Sequence, residues 1–179
     1  NIEITEQIAG VLLSAILYDT VIFRSPTCTA TDKEIAKKLA DKLGVDIEEY
    51  GKKLFKAGSV VNKLAPKELI TNDYKEYELN DKTIGVGQIE IMDLNEIKEI
   101  KEDVLTTLKE LVTENNYDFI VLMVTDILAE GSLLLFNPTA KEIIANAFEV
   151  EVKDTEVYLD GVLSRKKQVI PVLSDYLTK

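Results

Sequence analysis

Apolar residues recur at three- and four-residue intervals through residues 1–58, which predicts a helical region. The first helix is expected over residues 3–17. A capping box formed by Thr31 and Glu34 predicts the start of a second helix. A third helix is expected to begin after an N-cap at Asp46. We therefore predict three helices and no strand in this part of the chain.

Residues 66–179 show an alternation of strand and helix patterns. Residues 117–124 form a nearly continuous apolar run, which is typical of a strand covered on both faces. Gly85 and Gly87 interrupt a strand pattern and indicate a bulge or close packing. The expected elements are a helix over 66–72, a hairpin over 74–79 and 83–91, a helix over 94–114, strands over 117–124, 132–136 and 156–159, a helix from 137, and a terminal helix over 168–177. Their order predicts an α/β domain with a mixed β-sheet flanked by helices.

The composition narrows the possible functions. Apolar residues make up 46% of the chain, and 21 Lys and Arg stand against 32 Asp and Glu, for a net charge of −11. Binding to duplex nucleic acid or to an anionic membrane needs a basic face, so neither partner is expected. There is no His, and the single cysteine, Cys28, fits a reducing cytoplasm. No apolar stretch is long enough to span a bilayer.

Two places carry candidate chemistry. Asp19 follows an apolar helix, where it is either a solvated loop carboxylate or a metal ligand, and composition favours the first. Residues 164–168 place Arg165, Lys166 and Lys167 before an apolar helix, where cations oppose the helix dipole unless an anion binds between them. A solvated charged face and an anion site are equally compatible with that pattern. Lys75 by itself is an ordinary strand lysine.

Three segments carry a resemblance to a known family. Residues 13–20 (LSAILYDT), 23–29 (FRSPTCT) and 164–173 (SRKKQVIPVL) resemble the family II inorganic pyrophosphatases, which are manganese-dependent enzymes of the DHH phosphoesterase superfamily. The resemblance covers the whole chain. It implies that residues 1–58 are the last helices of an incomplete DHH catalytic domain, 59–65 a linker, and 66–179 a complete C-terminal substrate-binding domain.

The resemblance also implies roles for individual residues. By position, Asp19 resembles the carboxylate that bridges two metal ions, and Lys75, Arg165 and Lys166 resemble the cations that hold pyrophosphate. The implied cofactor is Mn²⁺, or Co²⁺ or Mg²⁺, with two or more ions in the intact enzyme. Tyr18 stands where the family usually has Ser. The His-containing metal motifs of the family are not in this chain, so the chain alone is expected to be inactive. A homodimer through the missing N-terminal region is implied as well.

The sequence therefore predicts hydrolysis of pyrophosphate to two phosphates by a two-metal centre between domains. Two alternatives stay open: a related phosphoesterase acting on short polyphosphates or nucleotides, and a non-catalytic anion-binding module. We expect Arg165 and Lys166 to be exposed cations, each contributing under about 1 kcal/mol to stability.

Overall fold

The computed structural model describes residues 4–61 and 63–178. Glu3 in the first predicted helix, Asn62 in the predicted linker and the C-terminal Lys179 lie outside the described residues. The chain divides between Gly58 and Ser59 into two compact units. None of the described helices is long and apolar enough to cross a membrane.

The first unit consists of three helices, as predicted. They are α1 (Glu6–Asp19), α2 (Ala30–Leu43) and α3 (Ile47–Gly58). Their buried faces meet in a small core made by Leu13, Leu17, Leu39 and Phe55. The third helix begins as predicted, because an Asp46 carboxylate oxygen accepts a hydrogen bond from the backbone N–H of Glu49 at 2.9 Å.

The predicted capping box of α2 is at the wrong position. The box is formed by Thr29 and Asp32: the Thr29 hydroxyl accepts from the Asp32 N–H at 3.2 Å, and the Asp32 carboxylate accepts from the Thr29 N–H at 2.8 Å. Thr31 and Glu34 have the same spacing, but the helix already begins at Ala30, so Thr31 lies within its first turn. Capping by Thr29 and Asp32 lets α2 begin earlier in the chain, and it still gives hydrogen-bond partners to backbone N–H groups at the start of the helix.

The second unit is built on one mixed sheet. Its five strands lie in the order β1-β2-β3-β4-β5; β2 and β3 are parallel and the other neighbours are antiparallel. This confirms the predicted α/β fold class. The elements are α4 (Pro66–Thr71), β1 (Tyr74–Leu79), β2 (Lys82–Ile91), α5 (Asn95–Lys98), α6 (Lys101–Asn115), β3 (Phe119–Asp126), β4 (Gly131–Phe136), α7 (Lys141–Phe148), β5 (Glu156–Asp160) and α8 (Ile170–Leu177).

Both faces of the sheet are covered. All eight residues of β3 are buried, which confirms the interpretation of its apolar run. On one face, Val121 and Phe136 belong to a core with Ile144 of α7 and Leu173 of α8. On the other face, the core includes Leu69 of α4, Leu108 of α6, and Ile120 and Leu122 of β3.

The helix predicted over residues 94–114 is two helices. The chain turns at Glu99 and Ile100 between α5 and α6, and the N–H of Ile100 bonds the Ile97 carbonyl oxygen at 3.3 Å in a tight turn. Ile97, Ile100 and Val104 all reach the same core. Because the apolar spacing continues through the turn, the sequence pattern does not reveal the break.

The glycines of β2 permit close packing. The β1–β2 register runs without a bulge from Tyr74 opposite Gly87 to Leu79 opposite Lys82. A side chain at Gly85 would meet the Tyr74 ring, and one at Gly87 would meet the backbone carbonyl of Ile70. Of the two alternatives predicted for these glycines, close packing is confirmed.

Candidate functional site

Asp19 is the exposed last residue of α1, at the start of an unusual turn. The next three apolar residues, Val21, Ile22 and Phe23, have φ angles of 51°, 49° and 67°. This left-handed conformation costs roughly 1–2 kcal/mol per residue for side chains with a Cβ atom. Thr20 supports the turn from within: its hydroxyl donates to the Ile16 carbonyl oxygen at 2.7 Å and accepts from the Phe23 N–H at 3.3 Å.

Contacts with α3 hold the turn from outside. The side chain of Ile22 packs against Gly51, where any larger residue would collide with it. Arg24 donates to the Ile22 carbonyl oxygen at 3.2 Å and to both carboxylate oxygens of Glu48 at 2.8 and 3.4 Å. The hydrogen bond from Arg24 lowers the pKa of Glu48. The main chain at Asp19 is fixed as well, because the Thr27 hydroxyl donates to its carbonyl oxygen at 3.2 Å.

Tyr18 packs on the same helix. Its ring stacks on Phe55 with ring centroids 4.9 Å apart and an interplanar angle of 11°. The phenol that stands in place of the expected Ser is therefore accommodated by an aromatic contact within the first unit.

The described residues do not form a metal site on their own. Within residues 4–61 and 63–178, no three Cys, Asp or Glu side chains are grouped so that they could hold an ion. Asp19 offers exposed carboxylate oxygens, which suit Mn²⁺ or Mg²⁺, but one carboxylate does not hold a two-metal centre.

Residues 164–168, called the basic segment below, form the start of the terminal helix. A π-helical turn over Arg165–Val169 continues directly into α8, so the helix begins earlier than the predicted residue 168. The Ser164 carbonyl oxygen accepts from the Val169 N–H at 3.3 Å, one residue farther than in an α-helix. Pro171 lies at the start of α8, where it has no N–H to donate to the carbonyl oxygen four residues earlier.

Arg165 is buried, contrary to the expectation that it is exposed. The residue is 6% exposed, and its guanidinium donates to the carbonyl oxygens of Asp73 and Val86 at 2.7 and 3.0 Å and to an Asp73 carboxylate oxygen at 2.8 Å. These bonds use three of the five N–H donors of an arginine. Arg165 therefore ties the basic segment to β2 and to the residue that precedes β1.

Lys75 and Lys166 are the exposed cations of the site. Neither ammonium group forms a hydrogen bond or an ion pair with any residue that the structure describes. Lys75 lies opposite Val86 in the β1–β2 pair, and the Val86 carbonyl oxygen accepts from Arg165. The structure thus brings Lys75, Arg165 and Lys166 to the same end of the hairpin in the second unit, while Asp19 belongs to the first unit.

Sequence reasoning missed Glu90, a largely buried carboxyl group on β2. Burial raises its pKa from the ordinary value of 4.5 to about 7; the Asp73 carboxylate adds to the rise and the Arg165 guanidinium opposes it. The sequence feature that could have indicated Glu90 is a single acidic residue within the apolar run of β2. Gln88, Thr125 and Ser132, which form a buried polar set beside the basic segment, were also missed.

Comparisons with known proteins identify the family to which the sequence is similar. Residues 52–176 match the DHHA2 domain model. The manganese-dependent inorganic pyrophosphatase of Methanocaldococcus jannaschii is 48% identical over 96% of this chain and 56% of its own length. The manganese-dependent inorganic pyrophosphatase of Bacillus subtilis is 40% identical over 100% of this chain and 58% of its own length.

A solved structure shows the same fold. It is a crystal structure of a Methanococcus jannaschii protein provisionally named a family II inorganic pyrophosphatase. It is 46% identical, superposes with a TM-score of 0.86, and is matched over 99% of this chain and 58% of its own.

The chain belongs to the DHHA2 domain family. The resemblance to manganese-dependent family II pyrophosphatases predicted from the sequence is confirmed, and the chain spans 56% and 58% of the lengths of the two curated relatives named above.

Proposed function

We propose that the natural full-length protein hydrolyses inorganic pyrophosphate to two phosphates with Mn²⁺, and that this chain supplies the cations that hold the substrate. The similarity to two manganese-dependent pyrophosphatases supports the reaction. Residues 66–179 then act as the substrate-binding domain, residues 59–65 as the linker, and residues 1–58 as the end of the catalytic domain. We also propose a cytoplasmic homodimer that assembles through residues outside this chain.

The observation that carries the proposal is the placement of Lys75 and Lys166 with Arg165. The three cations lie at one end of the β1–β2 hairpin in a chain of net charge −11, and both lysines are exposed. Lys166 also lies in the first turn of a helix, where the backbone dipole attracts anions. Pyrophosphate is a polyanion, and lysine ammonium groups hold phosphoryl oxygens as compact charges.

Arg165 has a second role in this proposal. Its position is fixed by Asp73 and Val86, and two of its N–H donors remain for a phosphoryl oxygen. A fixed donor needs no reorganisation when charge develops on the substrate. Asp19 contributes one carboxylate ligand to the metal, and the other ligands come from outside this chain. When bound, the metal supplies charge neutralisation and an activated water.

A non-catalytic anion-binding module is the second candidate. It is favoured by the contrast within the described residues, which carry a cation cluster but no group of metal ligands. The same cluster would also accept short polyphosphates or nucleotides.

The test is a hydrolysis assay of the full-length protein with Mn²⁺ and a panel of pyrophosphate, tripolyphosphate and ATP. We expect rapid release of phosphate from pyrophosphate and little from the others. The 179-residue chain alone is expected to bind pyrophosphate in a salt-dependent manner without hydrolysing it. A full-length protein that binds pyrophosphate without turnover would favour the binding module.

A further inference from the structure

The side chain of Gln168 closes the loop of residues 161–164, which leads into the helical turn that carries Lys166. Its Oε1 accepts from the backbone N–H groups of Leu163 and Ser164 at 2.9 and 3.0 Å. Its Nε2 donates to the Gly161 carbonyl oxygen at 2.8 Å. One carboxamide therefore ties the start of the loop to the basic segment through three hydrogen bonds.

Backbone contacts complete this closure. The Ser164 carbonyl oxygen accepts from the Gln168 N–H at 2.9 Å, and the Ser164 hydroxyl accepts from the Lys167 N–H at 3.3 Å. Gly161 has a φ of 70°, which lets the chain leave β5 and turn back toward Gln168. Residues on both sides of Lys166 are thus fixed in the chain while its own side chain stays exposed.

A buried polar chain anchors the same loop to the sheet. Nε2 of Gln88 lies 3.2 Å from the Thr125 hydroxyl, which lies 3.0 Å from the Ser132 hydroxyl. Ser132 donates to the Val162 carbonyl oxygen at 2.6 Å, so its single proton is used and Thr125 is the donor to Ser132. Gln88 also donates to the Leu163 carbonyl oxygen at 3.4 Å. Hydrogen bonds to buried side chains of the sheet therefore hold Val162 and Leu163 of the loop in place.

We propose that Gln168 is a positioning residue for phosphoryl transfer, which acts by holding Lys166 in the geometry that grips the substrate. This inference rests on the proposed function. Gln168 acts through its neighbour and need not touch the substrate. A misplacement of about 1 Å in such a group can cost about 100-fold in rate.

The experiment is a double-mutant cycle in the full-length protein. Gln168→Met keeps the length of the side chain and removes its hydrogen bonds, and Gln7→Met at an exposed position of α1 is the matched control. Pyrophosphate hydrolysis with Mn²⁺ is measured for Gln168→Met, Lys166→Ala and the double variant. We expect Gln168→Met to lose about 10- to 100-fold in kcat/KM. The control should stay within twofold of wild type.

The double variant separates positioning from general destabilisation. If Gln168 acts through Lys166, the double variant is as active as Lys166→Ala alone. Losses that multiply, or normal kcat/KM in Gln168→Met, overturn the inference while leaving the proposed function intact. If the wild-type full-length protein does not hydrolyse pyrophosphate, both the proposed function and this inference are wrong.

A measurement on the unaltered 179-residue chain covers the case in which Gln168→Met does not fold. The side-chain amide protons of Gln168 should give two separate NMR signals, protected from exchange, before pyrophosphate is added. Addition of pyrophosphate should shift the backbone amide of Lys166 and leave the Gln168 side-chain signals protected. Rapidly exchanging or averaged Gln168 signals in the free chain overturn the inference.

Discussion

The guanidinium of Arg165 and the carbonyl oxygen of Val86 are joined by a 3.0 Å hydrogen bond, although 79 positions separate them in the sequence. Through this bond and two to Asp73, a charged side chain of the basic segment becomes part of the packing of the second unit. The neighbouring Lys166 remains exposed. Two adjacent cations therefore have different physical roles.

Replacing Arg165 is expected to destabilise the protein. Arg165→Lys keeps the charge but loses the planar fork, so the bonds to Asp73 and Val86 cannot all form. We predict a loss of about 2–3 kcal/mol in the free energy of unfolding, because hydrogen bonds of charged groups at buried sites are lost. Urea denaturation of the chain measures it. Lys166→Ala, as the exposed control, should change stability by under about 1 kcal/mol, and equal effects of the two substitutions would refute the distinction.

Glu90 is expected to make stability depend on pH. Its pKa is about 7 in the folded protein against an ordinary value of 4.5, so between these pH values the unfolded chain releases a proton that the folded protein keeps. Stability therefore falls as the pH rises through this window and levels off above it. Glu90→Gln removes the effect and should be more stable than wild type at pH 8, by up to about 3 kcal/mol, with no such gain at pH 4.

Urea denaturation at the two pH values checks this prediction. Glu78→Gln, at an exposed position of β1, provides the baseline for removing a carboxylate. A Glu90→Gln effect of the same size at pH 4 and pH 8 would contradict the burial of a proton-binding carboxyl group.

Gly51 is expected to be essential for the turn that follows Asp19. A Cβ atom there would lie 2.7 Å from Cδ1 of Ile22, whose left-handed backbone leaves it little room to move. Gly51→Ala should destabilise the chain by about 1–3 kcal/mol despite the better helix propensity of alanine. Gly10→Ala is the matched helical control, since its nearest neighbour would be the Tyr50 hydroxyl oxygen at 3.8 Å. That control should gain roughly 0.5–1 kcal/mol, and a similar gain for Gly51→Ala in thermal unfolding would disprove the contact.

Most elements of the fold follow from local patterns in the sequence. The buried run of β3 and the β1–β2 hairpin depend on periodicity and turn residues, which short segments contain. The break between α5 and α6 was missed because Ile97, Ile100 and Val104 keep the helical spacing through it. The capping box was misplaced because two overlapping pairs satisfy the same rule.

The candidate site was only partly predictable for a different reason. The basic segment stood out as three cations in an acidic chain, so Lys166 could be selected from the sequence. The burial of Arg165 depends on Asp73 and Val86, which are distant in sequence, and no local pattern indicates them. Gln168 was noticed within the segment, but its bonds to Gly161, Leu163 and Ser164 require the wide first turn of the helix.

The central claim is that Lys166 grips the substrate of a pyrophosphate-hydrolysing enzyme. The most direct test is the steady-state hydrolysis of pyrophosphate by the full-length protein with Mn²⁺, comparing wild type, Lys166→Ala and Lys167→Ala. We predict that Lys166→Ala lowers kcat/KM by about 100- to 1,000-fold with little change in melting temperature, since it removes a charge-assisted contact to the transition state. Lys167→Ala should have a much smaller effect. Near-normal activity in both variants would show that the basic segment is a solvated charged surface and would contradict the account.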